Sequence, residues 1–220
     1  MIIGDLDMKK VVKMIKEKWH LNSIKKYSID LSIAPARRNK ANITFKKEEY
    51  SQANLVVGCN IIDMTKIEKY CVINVLNSIL GGHNLDDKLS IYLRKDNSLC
   101  YSVASYIQKY DNILLIHAGI DKSKYKLAVK LIKKALREVQ KGIITTKELT
   151  NAKKINITSL NSIIDNEAAI MNTYLFYSID NLPLIEDRIA LIKKITVKDI
   201  QTLAKKIKIN TINLIAKGDL

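Results

Sequence analysis

The sequence has few of the residues that build a self-contained catalytic site. Histidine occurs three times, at His20, His83 and His117, and no pair has the HxxEH or HExxH spacing that binds zinc from one helix. We interpret His83, which follows Gly81-Gly82, as a loop residue, and His117, in the apolar run ILLIHAGI, as a core histidine. We therefore predict no metal site made by this chain alone.

Glycine is also scarce, with seven residues in 220, and proline occurs twice. None of the patterns GxSxG, GxxxxGK[ST] or GxGxxG is present. These patterns form the nucleophile turn of many hydrolases and the phosphate-binding loops of nucleotide-binding proteins, so their absence argues against both classes. If the chain takes part in catalysis, it supplies only part of the machinery.

Long apolar runs are absent as well. No stretch of eighteen apolar residues occurs, and the amino end lacks the charge and apolar pattern of a secretory signal. The three cysteines, Cys59, Cys71 and Cys100, form no CxxC pair and lie in apolar segments, as buried free thiols of a reducing compartment do. We expect a cytoplasmic protein without a membrane partner.

Acidic residues are fewer than basic ones. The chain has 37 lysines and arginines and 22 aspartates and glutamates, which gives a net charge of +15. A balance of this size raises the hypothesis of nucleic-acid binding. The lysines are dispersed at helical spacing, however, and no basic patch is interleaved with aromatic residues that could stack on bases. We expect no nucleic-acid partner; a basic groove that favours acidic peptides is at least as compatible.

The hydrophobic pattern predicts strands and helices along most of the chain. Capping boxes of Thr145 with Glu148 and of Thr196 with Asp199 start two helices, the first running toward residue 178. Strands at both ends and in the middle predict an α+β fold, an antiparallel (mixed) sheet covered on one face by helices. The predicted strands are 41–50, 51–61, 100–108, 112–120 and 209–218, and the other predicted helices are 65–80, 85–95 and 121–142.

The first forty residues have a different character. Residues 1–19 are typical of a strand end, a turn at Gly4-Asp5 and a helix, whereas residues 20–40 contain Pro35 and a basic cluster without a sustained period. We interpret residues 1–40 as the end of a preceding domain plus a linker, and residues 41–220 as the main domain.

The stretch VINVLNSILGGHNLDDKLSIYLRKDNSLCYSVASYI, residues 72–107, carries a family pattern. A helix ends at Leu80-Gly81-Gly82, and Leu93-Arg94-Lys95 is followed by Leu99–Val103. This arrangement resembles the carboxy-terminal, non-zinc domain of the insulinase/pitrilysin (M16) metallopeptidases of the processing-peptidase type. The downstream segments HAGIDKSKYKLAVKLIKKALREVQKG and ITVKDIQTLAKKI, and the opening IIGDLDMKKVVKMIKEKW, extend the resemblance over essentially the whole chain.

The resemblance implies the LuxS/MPP-like metallohydrolase fold and half of a clamshell. In that family the amino-terminal domain carries the zinc motif HxxEH, which is absent here, and the carboxy-terminal domain contributes an arginine and a tyrosine seven residues apart. Those residues are Arg94 and Tyr101, with the Tyr101 hydroxyl as oxyanion donor and both side chains contacting the peptide substrate. The implied partner is an amino-terminal M16 domain or a second M16 subunit that holds the zinc, and the chain alone is expected to be inactive.

The sequence departs from the family pattern next to these residues. Lys95 stands where an acidic residue is usual, and Asn97-Ser98 where lysine or arginine and then glycine are frequent. A second interpretation therefore stays open: a noncatalytic M16-like scaffold that is the partner subunit of an active peptidase. Spacing alone, without the resemblance, favours Tyr101 as a packed strand tyrosine and Arg94 as a solvated charge at a helix end.

Overall fold

The computed structural model describes residues 2–19, 40–48, 52–82 and 85–217. The strands are β1 (Asn42–Lys47), β2 (Ala53–Ile61), β3 (Cys100–Gln108), β4 (Ile113–Ile120) and β5 (Ile207–Ala216). The helices are α1 (Met8–Lys18), α2 (Ile73–Leu80), α3 (Tyr125–Lys141), α4 (Thr146–Asn161), α5 (Glu167–Asp180), α6 (Ile185–Lys194) and α7 (Val197–Lys205). Two π-helical segments (Glu68–Val72 and Ser90–Lys95) and two 3-10 turns (Lys122–Lys124 and Ser162–Asp165) complete the described elements.

The five strands form one mixed sheet in the order β1-β5-β2-β4-β3. The pairs β5-β2, β2-β4 and β4-β3 are antiparallel, whereas β1 runs parallel to β5. The carboxy-terminal strand β5 is therefore inserted between the first two strands, and β1 and β3 form the two edges. The predicted fold class, a mixed sheet with helices in an α+β arrangement, is confirmed.

One face of the sheet carries the core. In β2 the residues alternate strictly, with Leu55, Val57, Cys59 and Ile61 fully buried and the residues between them half-buried. A period of two is what a strand needs when only one of its faces is packed. The buried face packs with the inner side chains of the helices, among them Ile73, Leu76 and Leu80 of α2, Ala128, Ile132, Ala135, Leu136 and Val139 of α3, and Ile200, Leu203 and Ala204 of α7.

Local signals set most helix ends as predicted. Thr145 and Glu148 form a reciprocal capping box at α4, and Thr196 and Asp199 form one at α7. Gly142 ends α3 with φ of 74°, a left-handed conformation that glycine adopts without the steric penalty of a Cβ atom. These short-range devices depend on residues three or four apart, which is why the sequence alone locates them.

Three predictions are wrong in detail. The helix predicted from Thr145 toward residue 178 is broken at Asn166, whose extended backbone (φ −133°, ψ 107°) interrupts it and whose side chain caps α5 by accepting from the Ala169 N–H. Residues 2–3 are not in a strand. His117 is half-buried rather than in the core, because Leu114, Ile116 and Ala118 face the helices and His117 lies on the opposite face of β4.

His20, His83 and the predicted linker up to residue 39 lie outside the described residues. The three cysteines are buried free thiols, as predicted. None of the helices in the described ranges combines the length and apolar character needed to cross a bilayer.

Candidate functional site

Arg94 and Tyr101 lie next to each other, although they are seven positions apart in the sequence. The central carbon of the Arg94 guanidinium is 5.4 Å from the centroid of the Tyr101 ring, which is the geometry of a cation–π contact. Tyr101 is 82% exposed and Arg94 is exposed as well. Within the described ranges neither side chain makes a hydrogen bond or an ion pair, so the guanidinium N–H groups and the phenol O–H face solvent and can bind a ligand.

A tight turn brings the two side chains together. Arg94 lies in the π-helical segment Ser90–Lys95, which ends when the Leu99 N–H donates to the Leu93 carbonyl at 2.7 Å and the Ser98 N–H donates to the Arg94 carbonyl at 3.1 Å. The Asn97 side chain also donates to the Tyr92 carbonyl, at 2.8 Å. The turn requires a left-handed residue, and Ser98 has φ of 48°. Glycine is favoured in this conformation, which explains physically why the resembled family often has glycine here.

A β-bulge exposes Tyr101 at the start of β3. The register with β4 shifts by one residue between Cys100, which pairs with Ile120, and Val103, which pairs with Ala118. Cys100 and Val103 both face the core, and the two residues between them are both exposed. Bulges redirect side chains in this way at sheet edges, so the phenol projects outward instead of packing under a helix.

A network of charged and polar side chains joins the π-helical segment and the adjacent Lys88 to helices α3 and α4. The Lys88 ammonium, with only 9% of its side chain exposed, lies 2.9 Å from a Glu148 carboxylate oxygen and 3.3 Å from one of Glu138. The Tyr92 hydroxyl donates to the other oxygen of Glu138 at 2.6 Å. Burial and this hydrogen bond raise the pKa of Tyr92 to about 12, so the phenol stays protonated and remains a donor. The sequence pattern did not predict this network, because its members come from three separate elements.

A second set of contacts fixes β3 to the end of α2. The Ser105 N–H donates to the Gly81 carbonyl at 2.7 Å, and the Ser105 hydroxyl donates to the Asn77 side-chain oxygen at 2.7 Å. A Cβ atom on Gly81 would lie 2.5 Å from the Leu89 side chain and 2.8 Å from the Ser105 hydroxyl. The first glycine of the Gly-Gly pair therefore permits a close approach between α2, β3 and the segment that carries Arg94.

The described residues contain no group of three or more histidine, cysteine, aspartate or glutamate side chains that could hold a metal ion. Within those ranges the chain therefore has no set of side chains that could bind zinc by itself. A cavity of about 860 Å³ lies between α2 and α4, lined by residues that include Lys88, Glu148 and Asn151 but neither Arg94 nor Tyr101. The Arg94–Tyr101 pair lies on an open surface instead. A closed binding site there would need a second protein surface facing the pair.

Comparisons with known proteins place the chain in a family. Residues 1–156 match the model of the peptidase M16 inactive domain, which covers more than half of the chain. The chain therefore belongs to the peptidase M16 family and matches the model of its inactive domain, and the resemblance inferred from the sequence is confirmed.

Its relatives are longer proteins. The chain is 23% identical over 216 residues to the probable inactive metalloprotease YmfF of Bacillus subtilis, covering 96% of this chain and 49% of that protein. It is 32% identical over 111 residues to the uncharacterized zinc protease YmxG of the same organism, covering 50% of this chain and 27% of that protein. The crystal structure of a conserved protein from Enterococcus faecalis superposes with a TM-score of 0.89 at 21% identity, covering 98% of this chain and 51% of that one. The chain thus spans about half the length of YmfF and of the E. faecalis protein.

Proposed function

We propose that this chain is the substrate-binding, non-zinc half of an M16 peptidase and contributes Arg94 and Tyr101 to a peptide-cleavage cavity. A separate zinc-bearing M16 domain or subunit forms the opposite wall. The observation that carries the proposal is the stacked, exposed Arg94–Tyr101 pair, whose polar groups have no partner within the described residues. A packed strand tyrosine would instead be buried, with its hydroxyl hydrogen-bonded.

The two side chains suit different tasks in peptide hydrolysis. The Tyr101 phenol can donate a hydrogen bond to the oxygen that becomes negative when the scissile carbonyl is attacked, which stabilises the transition state. The Arg94 guanidinium is always charged and presents a planar set of donors, which suits a fixed grip on peptide carbonyls. The cation–π contact places the ring and the guanidinium side by side, so both donors can reach the same segment of a bound peptide.

The domain division is part of the proposal: residues 1–40 complete the preceding M16 domain and provide a linker, and residues 41–220 form the carboxy-terminal domain. Helix α1 supports it, because none of its residues is buried and Met8, Val12 and Met14 are exposed. An amphipathic helix with an uncovered apolar face needs a second body to pack against. The buried free thiols support a reducing, cytoplasmic location.

Peptide hydrolysis by the chain together with its zinc-bearing domain tests the proposal. Tyr101→Phe removes one oxyanion donor, and we expect kcat/KM to fall about 10²–10³-fold without a change in the melting temperature. Tyr174→Phe, which alters an exposed tyrosine of α5, is the matched control and should leave the rate unchanged. Unaltered turnover by the Tyr101→Phe protein would refute the role of this hydroxyl.

A noncatalytic scaffold, the partner subunit of an active peptidase, is the alternative function. It is favoured by Lys95, which replaces an acidic residue of the family pattern, and by the similarity to YmfF, which is named a probable inactive metalloprotease. It predicts stable association with a second, zinc-containing M16 chain and no HxxEH motif in the polypeptide that contains this domain. Zinc analysis of the purified assembly, followed by assignment of the zinc to one polypeptide, separates the two functions.

A further inference from the structure

The cavity of about 860 Å³ between α2 and α4 has the size of a ligand site, since such sites commonly measure about 300–1,000 Å³. Its third wall is the segment 85–91, and five apolar side chains contribute to the lining: Ile79, Leu85, Ile91, Ala152 and Ile155. Ile79 and Ala152 are buried, whereas Leu85 is 61% and Ile155 is 40% exposed. Apolar side chains that stay exposed around a cavity can bury an apolar group of a ligand.

The cavity and Arg94 share one short segment of the chain. Ile91 lines the cavity and lies three residues before Arg94 in the same π-helical segment. Residues three or four apart in a helix are roughly 5–6 Å from each other. Asp86 also lines the cavity, and its carboxylate forms an ion pair with Lys95, the residue that follows Arg94. A peptide that contacts Arg94 can therefore continue into the cavity.

Two lysines of α4 line the cavity without a counter-ion. Lys147 and Lys154 are exposed, and within the described ranges their ammonium groups form no ion pair or hydrogen bond. The two residues are seven positions apart, which corresponds to about 10 Å along a helix. An extended peptide advances about 3.3 Å per residue, so the two lysines match carboxylates that are three residues apart in a bound peptide.

The carboxylates that line the cavity are already engaged. Glu148 closes the capping box of α4 and lies 2.9 Å from the Lys88 ammonium. Asp87, which is 2% exposed, accepts from the Ser90 N–H at 2.7 Å. The Asp86 carboxylate is held by its ion pair with the π-helical segment. Among the described residues around the cavity, the charges left without a partner are therefore positive, and they favour an acidic ligand.

We propose that this cavity is a subsite for the peptide substrate and selects an apolar side chain flanked by acidic residues. The inference rests on the proposed function, because it takes the peptide held at Arg94 as the ligand. The apolar side chain packs against Leu85 and Ile155, and burial of its surface supplies affinity. The acidic residues on either side of it meet Lys147 and Lys154, and this complementarity of charge supplies specificity.

Peptide binding to the 220-residue chain tests the subsite without requiring turnover. The probe is the peptide Gly-Glu-Leu-Ala-Glu-Gly with a fluorescent label, titrated with the chain and followed by fluorescence anisotropy. One comparison peptide has serine in place of leucine, and another has lysine in place of both glutamates. We expect the dissociation constant to rise about tenfold for the serine peptide and by more than that for the lysine peptide.

Substitutions in the chain locate the binding. Ile155→Gln should weaken binding of the leucine peptide about fivefold, because it removes an apolar side chain from the cavity wall. Lys147→Gln combined with Lys154→Gln should weaken it about tenfold. Lys126→Gln combined with Lys130→Gln, which removes two exposed lysines from α3, is the matched control and should bind as tightly as the unmodified chain.

Three results would overturn the subsite: equal affinity for the leucine and serine peptides, undiminished binding by the double variant of α4, or an equal loss in the double variant of α3. The last result would mean that the acidic peptide binds only the generally basic surface. The peptide comparison uses the unmodified chain, so it decides the question even if an altered chain fails to fold. Failure of the proposed function is seen separately, in the turnover of Tyr101→Phe, and would not alter these affinities.

Discussion

The ammonium group of Lys88 lies 2.9 Å from the Glu148 carboxylate, and this contact joins the segment that carries Arg94 to the start of α4. Glu148 also closes the capping box of α4 through the Thr145 N–H, at 2.7 Å. One carboxylate therefore serves a local role, which its spacing from Thr145 reveals, and a long-range role, which only the folded chain reveals.

Lys88→Met should destabilise the domain markedly. It leaves the half-buried carboxylates of Glu138 and Glu148 without their cation, and we expect the free energy of unfolding in urea to fall by about 3 kcal/mol. Lys95→Met is the control, because its partner Asp86 is 75% exposed and such surface pairs contribute at most about 1 kcal/mol. A loss below 1 kcal/mol in Lys88→Met would show that the network is not important for stability.

Ser98→Gly should stabilise the domain. Ser98 has φ of 48°, which costs a residue with a Cβ atom about 1–2 kcal/mol, whereas glycine adopts this conformation freely. After allowance for the greater entropy of glycine in the unfolded chain, we expect a gain of about 0.5–1 kcal/mol in urea unfolding. Ser102→Gly, four residues away at negative φ, should instead lose a similar amount; a loss in both variants would contradict the explanation.

Glu68 should make stability depend on pH in the acidic range. Burial alone would raise its pKa, but hydrogen bonds from Lys206 and Thr65 outweigh burial and lower the pKa below 4.5. A carboxyl group with a lowered pKa stabilises the fold above its unfolded-state pKa, about 4.3, and loses that contribution as the pH falls through the folded-state value.

Urea unfolding of Glu68→Gln and of the unmodified chain, measured between about pH 6 and pH 3, checks this dependence. The difference in unfolding free energy between the two proteins should be largest near pH 6 and should shrink toward pH 3. Glu186→Gln, at an exposed position of α6, is the control. A difference that is constant over the whole range would contradict the lowered pKa.

Arg94→Lys should separate the two roles within the proposed site. Lysine keeps the charge but loses the planar set of donors, so a grip on peptide carbonyls weakens while the Tyr101 hydroxyl is retained. With the zinc-bearing domain present, we expect KM for a peptide to rise roughly tenfold with little change in kcat. Lys95→Gln at the neighbouring position should change neither constant, and a fall in kcat alone would assign Arg94 a different role.

The predictions from sequence succeeded where the signal is short-range or repeated. The strand-like segment 51–61 identified β2, the pairs Thr145/Glu148 and Thr196/Asp199 identified two helix starts, and Gly142 identified the end of α3. The break at Asn166 was missed because neither glycine nor proline marks it in the sequence. Helix α6 was missed because its amphipathic pattern is short and follows Pro183 closely.

The sequence by itself determined the fold class, the family and the candidate pair Arg94 and Tyr101, because periodicity, caps and motif order are local properties of the chain. Only the tertiary structure decided that the Arg94 and Tyr101 side chains meet at an exposed bulge and that Lys88 joins Glu138 and Glu148. These relationships depend on strand register and helix packing between distant segments, and spacing along a chain does not encode distance across a sheet or between layers.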